Sequence, residues 1–196
     1  MKTIAFCGAG GTGKSTTAEF LGCNLPSPVS SLRAHFFGSD AKFGEFKHFQ
    51  DIFDWQYRIL YAQIAMEDYF RLVYKATENY IPVERSVVDY AAYMLNQCER
   101  YQKNPKCFEK IEEYTKWCVE HANKSYDFVV YFPPNKFKPG DSEGSTKERD
   151  EASIKKTDRY IKLLLEEVKV PILRLESTEL EARAEEIVRF VEKKRK

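Results

Sequence analysis

Apolar and polar positions change period several times along the chain, and each change marks an element. Lys2-Thr3-Ile4-Ala5-Phe6-Cys7 reads as a strand that passes through a glycine-rich turn into a helix over about 14–23. Pro28 to Leu32 is a short second strand. From about 48 to 77, Phe49, Ile52, Phe53, Ile59, Leu60, Ile64 and Phe70 recur at helical spacing. Ile81 to Glu84 predicts a third strand, followed by a helix over about 87–101. Asn104-Pro105 breaks the chain before a helix at about 107–122. Asp127 to Phe132 is an almost unbroken apolar and aromatic run, as a buried parallel strand should be, and Pro133-Pro134 ends it.

The next fifteen residues hold Lys136, Lys138, Pro139, Gly140, Gly144, Lys147 and Arg149, which predicts a basic loop rather than core. A helix then runs to about 168 with Ile154, Ile161, Leu164, Leu165 and Val168 on its buried side. Pro171 to Leu175 is a fifth strand. The last helix starts near Thr178, where Thr178-x-x-Glu181 fits a capping box, and fades into the charged tail from Glu192 to Lys196. Strands alternating with helices predict an α/β fold, a parallel sheet covered on both faces. With no internal repeat and no linker, residues 1–196 read as one domain.

Composition removes several function classes. Lys plus Arg (31) nearly equals Asp plus Glu (30), so no global field favours nucleic acid or a membrane, although a local basic patch stays open. No run of about 18 apolar residues predicts a membrane span, and the opening residues have no leader-like pattern. Cys7, Cys23, Cys98, Cys107 and Cys118 are scattered and odd in number, which reads as reduced thiols in a cytoplasmic protein. Cys98, Cys107, Cys118 and His121 invite a zinc reading, but they contain no CxxC pair and packed thiols are the expectation.

The chemistry begins at the first turn. Gly8-Ala9-Gly10-Gly11-Thr12-Gly13-Lys14-Ser15 fits GxxxxGK[ST] in full, with a strand before it and a helix behind it, and Gly8 to Thr16 are the expected nucleotide-binding residues. Glycines let the backbone curl so that successive N–H groups face inward, and the helix start adds its positive end. Lys14 reaches the β- and γ-phosphates and the Ser15 hydroxyl suits magnesium, so ATP and Mg2+ are the expected cofactors. Gly8-x-Gly10-x-x-Gly13 also satisfies the dinucleotide fingerprint. That fold needs an acid closing its second strand, and the stretch after Pro28 offers Ser30, Ser31 and Arg33 but none before Asp40.

Glu84-Arg85-Ser86-Val87-Val88-Asp89-Tyr90 follows the third strand, and ligands of open parallel sheets sit at the carboxyl ends of strands. Glu84 there could hold magnesium or accept a hydroxyl proton, and Arg85 could steady a phosphate. The alternatives are a surface Glu84–Arg85 pair of little energetic value, and an Asp89 that only completes the capping box Ser86-x-x-Asp89.

Together the glycine loop, the strand-end ERS-x-x-D-Y-x-x-Y of Glu84 to Tyr93 and Arg149-Asp150-Glu151 resemble the small P-loop nucleoside and nucleotide kinases. The likeness is to the branch of ribosylnicotinamide-kinase-like domains and AAA-labelled small kinases, with Phe49-Gln50 before a long helix as a further match. Glu84-Arg85-Ser86 is also similar to the motif of deoxyribonucleoside kinases, and the pattern to thymidylate kinases. The resemblance implies a three-layer P-loop NTPase sandwich with a five-stranded parallel sheet of order 2-3-1-4-5 and a lid over about 133–150. It implies ATP- and Mg-dependent phosphoryl transfer to a nucleoside or nucleoside monophosphate, of the deoxynucleoside, deoxynucleotide or nicotinamide riboside class. Lys147, Arg149 and Lys155 would be the lid cations. Lys14, Glu84, Arg85, Asp89 and Arg149 would be the catalytic set, Ser15 and Glu84 the metal ligands, and Arg33 with Glu84 and Arg85 the acceptor contacts. Many relatives carry Asp where Glu84 stands.

The expected fourth strand closes in Phe132-Pro133 without an acidic pair, which argues against a mechanochemical ATPase. Arg33, His35, Phe36, Phe37, Phe43, Phe46, His48 and Phe49 lie where the resembling kinases form the acceptor pocket, although with 14 Phe and 12 Tyr most rings must be core. Two other readings stay open: a kinase of 5′-hydroxyl or modified bases in DNA, and a P-loop ATPase that turns over only with a protein partner. A homodimer is among the assemblies left open.

Overall fold

The computed structural model describes residues 2–22, 48–73, 80–134 and 151–194, with the side chain of Ile81 excepted. Its strands are β1 (Lys2–Cys7), β2 (Tyr80–Val83), β3 (Phe128–Tyr131) and β4 (Ile172–Arg174). The helices are α1 (Lys14–Phe20), α2 (Phe49–Val73), α3 (Val87–Gln97), α4 (Pro105–Ser125), α5 (Glu151–Leu165) and α6 (Leu180–Lys193), with a 3-10 turn at Glu99–Tyr101.

All pairings are parallel and the order is β2-β1-β3-β4. The described sheet has four strands rather than the expected five, and β2, β1, β3 and β4 correspond to the third, first, fourth and fifth strands of the expected order 2-3-1-4-5. The strand expected at Pro28–Leu32 lies outside the described residues, and strand numbers shift by one after it.

Side chains alternate across the sheet and build two cores. Ala5, Cys7, Val129 and Tyr131 face α2, α3, α4 and α5, where Ile59, Leu60, Met94, Ile111, Cys118 and Ile161 are buried. Ile4, Phe6, Phe128, Val130 and Phe132 face the other way, onto Ala18 of α1 and Ile187 and Val191 of α6. Burial on both faces explains why these strands read as continuous apolar runs rather than alternating ones.

Two local expectations are corrected. The helix expected over 87–101 stops at Gln97 and tightens into the 3-10 turn. At the last helix the N-cap is Glu179 and no side chain caps it, so the Thr178 box does not form. The Glu186 carboxylate, about two turns into the helix, accepts from the backbone N–H groups of Glu176 and Ser177 before it, at 3.2 and 3.0 Å. A carboxylate accepting two amides satisfies more backbone than one threonine hydroxyl can.

Candidate active site

The site forms where β1 and β2 end. Beyond Cys7 the chain turns through Gly8–Gly13 before α1 begins. Gly13 is the N-cap in the left-handed region (φ 83°, ψ 12°), and Gly11 shares that region (φ 79°), which side-chain-bearing residues rarely adopt. Gly8 is required for a different reason: a Cβ there would lie 2.6 Å from the Phe132 carbonyl oxygen of the neighbouring strand end.

Lys14, only 5% exposed, folds back into this loop. Its Nζ donates to the carbonyl oxygens of Gly8 (2.6 Å) and Ala9 (2.8 Å) and to Thr12 Oγ1 (3.2 Å). Burial pushes the ammonium down to about 8; Asp89 opposes that shift and Arg85 adds to it. The loop thus presents one positive group, desolvated and held by carbonyls, at the place where its glycines curl the backbone.

Ser15 and Glu84, 69 positions apart, meet here: Ser15 Oγ donates to Glu84 Oε1 at 2.5 Å. This bond joins the glycine loop to the residue just past β2. Arg85 is half-buried, with its guanidinium 5.6 Å from the Tyr93 ring centre. Burial works against its charge, but Tyr93, Tyr90 and Asp89 more than offset that and raise its pKa further. The guanidinium is a permanent cation at the strand end.

Asp89 is completely buried. Its Oδ1 accepts from the Gly8 backbone N–H at 2.9 Å, and its own N–H donates to the capping Ser86 hydroxyl at 3.3 Å. The capping reading is therefore half of the picture, because the carboxylate itself reaches across to the first amide of the loop. Burial raises its pKa while Lys14 and Arg85 pull it back. Cys7, beneath the loop, is buried and its thiol pKa is raised by burial and by Asp89, so it is inert rather than nucleophilic.

The structure thus brings together Gly8, Ala9, Thr12, Gly13, Lys14, Ser15, Glu84, Arg85 and Asp89. Gly10, Gly11 and Thr16 complete the same loop and helix start. Arg33, Lys147 and Arg149 lie outside the described residues, as does nearly all of the expected lid. Lys155 is exposed and pairs with Glu151 on its own helix at 3.6 Å. Among the described residues no group of three or more His, Cys, Asp or Glu side chains is placed to hold a metal.

The donor chemistry suits magnesium with a polyphosphate. A hydroxyl and a carboxylate are hard oxygen ligands, and a magnesium ion bound with phosphates needs only one or two from the protein. Asp89 holds the Gly8 amide, and the Lys14 ammonium lies inside the loop against the Gly8 and Ala9 carbonyls.

Sequence reasoning missed a buried polar set behind the site. Gln56, Gln63 and Glu67 of α2 are all buried, on the face that also carries Ile52, Ile59 and Leu60. Their signal is visible in hindsight: polar residues at helical spacing inside an apolar stripe, which should be rare unless each has a partner. Also missed was Arg183 of α6, whose Nη1 donates to Thr17 Oγ1 of α1 at 3.1 Å and ties the last helix to the loop helix.

This architecture and this loop are those of a P-loop protein of the three-layer α/β class. The chain belongs to the family described as AAA domain, whose model matches residues 3–183. Its fold is similar to that of deoxyadenosine kinase from M. mycoides solved with bound dCTP. That match has a TM-score of 0.53 and 17% identity, over 97% of this chain and 99% of the other. The same enzyme with bound dATP matches at a TM-score of 0.50 and 17% identity, with the same coverage. No curated protein sequence was found to match. Among the described residues no helix is long and apolar enough to cross a membrane.

Proposed function

We propose that this chain is a small-molecule kinase, one catalytic domain that moves the γ-phosphoryl group of ATP onto a nucleoside or nucleoside monophosphate. The observation that carries the reading is the Ser15–Glu84 bond, which couples a phosphate-binding loop to an acidic strand end. A loop alone would suit any nucleotide-binding protein; the strand-end carboxylate and arginine beside it suit transfer. The fold-level likeness to deoxyadenosine kinase supports a deoxynucleoside as the first acceptor to try, by analogy of fold. Residues chemically suited to ATP and buried free thiols support a cytoplasmic setting.

In this reading the acceptor hydroxyl oxygen forms a bond to the γ-phosphorus as the bond to the β–γ bridging oxygen breaks, ADP leaves, and the hydroxyl proton is released to solvent or a neighbouring carboxylate. Magnesium, held by Ser15 and Glu84, would neutralise charge on the β- and γ-oxygens when bound. Lys14 turns from the loop carbonyls to the phosphates. Arg85, with Arg149 from the lid segment, balances charge on the transferring group. Asp89 keeps the first loop amide in place and does not reach the acceptor.

One consequence is a pH profile. Free Lys14 loses its proton near pH 8, whereas phosphate oxygens beside it favour the charged form. Above that pH, binding must take up a proton, so affinity for ATP is expected to fall by about tenfold per pH unit. Equilibrium binding of ATP from pH 7 to 9.5 checks this, and a flat profile contradicts the placement of Lys14.

The function is tested by ADP release from MgATP with acceptors added singly: nucleosides, nucleoside monophosphates, nicotinamide riboside and 5′-hydroxyl oligonucleotides. Stimulation by one small-acceptor class supports the proposal. Stimulation only by oligonucleotides, with steep salt dependence, replaces it by a DNA kinase.

A further inference from the structure

Between the end of β2 and the start of α3 the chain has only Glu84, Arg85 and Ser86 in which to turn. The Arg85 carbonyl and the Val87 N–H, an orphan donor of the first helical turn, belong to neither the sheet nor the helix ladder, and Ser86 and Val87 are fully buried. Such groups need partners. They find them on other elements: Gln63 Nε2 of α2 donates to the Arg85 carbonyl at 3.1 Å, and the Val87 N–H donates to Tyr126 Oη at 2.9 Å.

Both routes converge on one carboxylate. Glu67 Oε1 accepts from Tyr126 Oη at 2.9 Å and from Gln63 Nε2 at 3.1 Å, while Gln63 Oε1 accepts from Tyr90 Oη at 3.0 Å. Glu67 is 2% exposed, and its second oxygen has Arg71 Nη2 and His121 Nε2 each at 3.5 Å. Burying an acid with only an arginine and a histidine at long range is an expensive way to fill a core; apolar side chains would serve stability as well or better. What the arrangement gives is geometry: Gln63 from α2 and Tyr126 from the approach to β3, both ordered by Glu67, pin the Arg85 carbonyl and the Val87 N–H, which bracket Ser86 directly after Glu84 and Arg85.

We propose that Glu67, acting through Gln63 and Tyr126, is the positioning residue for the strand-end turn, setting Glu84 against Ser15 and aiming Arg85. The role rests on the kinase reading for its effect on turnover, but not for its effect on the turn. Glu67 touches no substrate. Its oxygen orders two donors, and those donors order the backbone that carries the reacting side chains. Displacements on the order of 1 Å in such a group cost up to about a hundredfold in rate.

The experiment compares Tyr126→Phe, Gln63→Leu and Glu67→Gln with the wild-type chain by amide hydrogen exchange and by steady-state transfer. Tyr126→Phe and Gln63→Leu are expected to raise exchange over residues 84–90 by roughly tenfold or more, with β1 and β3 unchanged. They should lower kcat by about tenfold or more and leave KM for MgATP within about threefold. Glu67→Gln, which keeps an acceptor oxygen for both donors, should retain kcat within about threefold. Lower thermal stability with unchanged kcat and unchanged exchange at 84–90 overturns the proposal, as does a Glu67→Gln loss as large as that of Tyr126→Phe. A wild-type chain without transfer activity removes the kinase reading instead, and the exchange comparison still decides whether the set holds the turn. Should Gln63→Leu fail to fold, Tyr126→Phe, which removes one oxygen, decides alone.

Discussion

Replacing Lys14 by methionine is expected to lower phosphoryl transfer by about a thousandfold or more while the chain remains folded. The ammonium is the only cation seen inside the glycine loop among the described residues, and removing a single oriented donor from such a site already costs on the order of a hundred- to a thousandfold. Stability should change little. The variant loses three hydrogen bonds, to Gly8, Ala9 and Thr12, but no longer buries a charge. These opposing effects are each on the order of 1–3 kcal/mol. The pH dependence separates them. The folded pKa of Lys14, about 8, lies below its ordinary 10.5, so between those values the unfolded chain binds more protons and stability rises with pH. That rise should be present in the wild type and missing from Lys14→Met. Thermal melts at pH 7.5 and 9.5 with steady-state transfer measure both effects; near-normal turnover in the variant would be incompatible with the role assigned to the loop.

The second large effect is expected from Glu84→Gln. The amide keeps an oxygen for Ser15 but removes the negative charge that would share magnesium with that hydroxyl. Transfer should fall by roughly a hundredfold or more, and the magnesium concentration for half-maximal rate should rise by about tenfold. Binding of ATP without magnesium should stay within about twofold, because in the proposed role Glu84 would meet the nucleotide only through the metal. A magnesium titration of the rate distinguishes this from a proton-transfer role, which would lower kcat with the magnesium midpoint unmoved.

The parts of this site that a sequence shows are those that are local. Gly8 to Ser15 is legible because the loop's curvature, its lysine and its hydroxyl all come from one octapeptide, and the positive φ of Gly11 and Gly13 needs the residue type found there. The strands are legible because two-sided burial leaves unbroken apolar runs. Asp89 is different. Its local context spells a capping box, and Ser86 does cap, yet the carboxylate bonds an amide 81 residues away. Nothing in Ser86-x-x-Asp89 distinguishes those outcomes. Gln63 and Glu67 were hidden for a related reason: within an aromatic-rich helix they pass as ordinary polar positions until Tyr126 and the Arg85 carbonyl are brought against them by the sheet. At the last helix the local rule lost outright: the helix is entered through Glu179 with no side-chain cap, and Glu186 instead holds the amides of Glu176 and Ser177 just before it.

The central claim is that the loop's nucleotide gives its phosphoryl group to an organic hydroxyl rather than to water. The most direct measurement supplies γ-labelled ATP and magnesium with a deoxynucleoside, then a nucleoside monophosphate, and follows the label. Label recovered in a phosphorylated acceptor, lost in Lys14→Met and strongly reduced in Glu84→Gln, is the predicted result. Label recovered only as inorganic phosphate, at a rate that no acceptor changes, would contradict it.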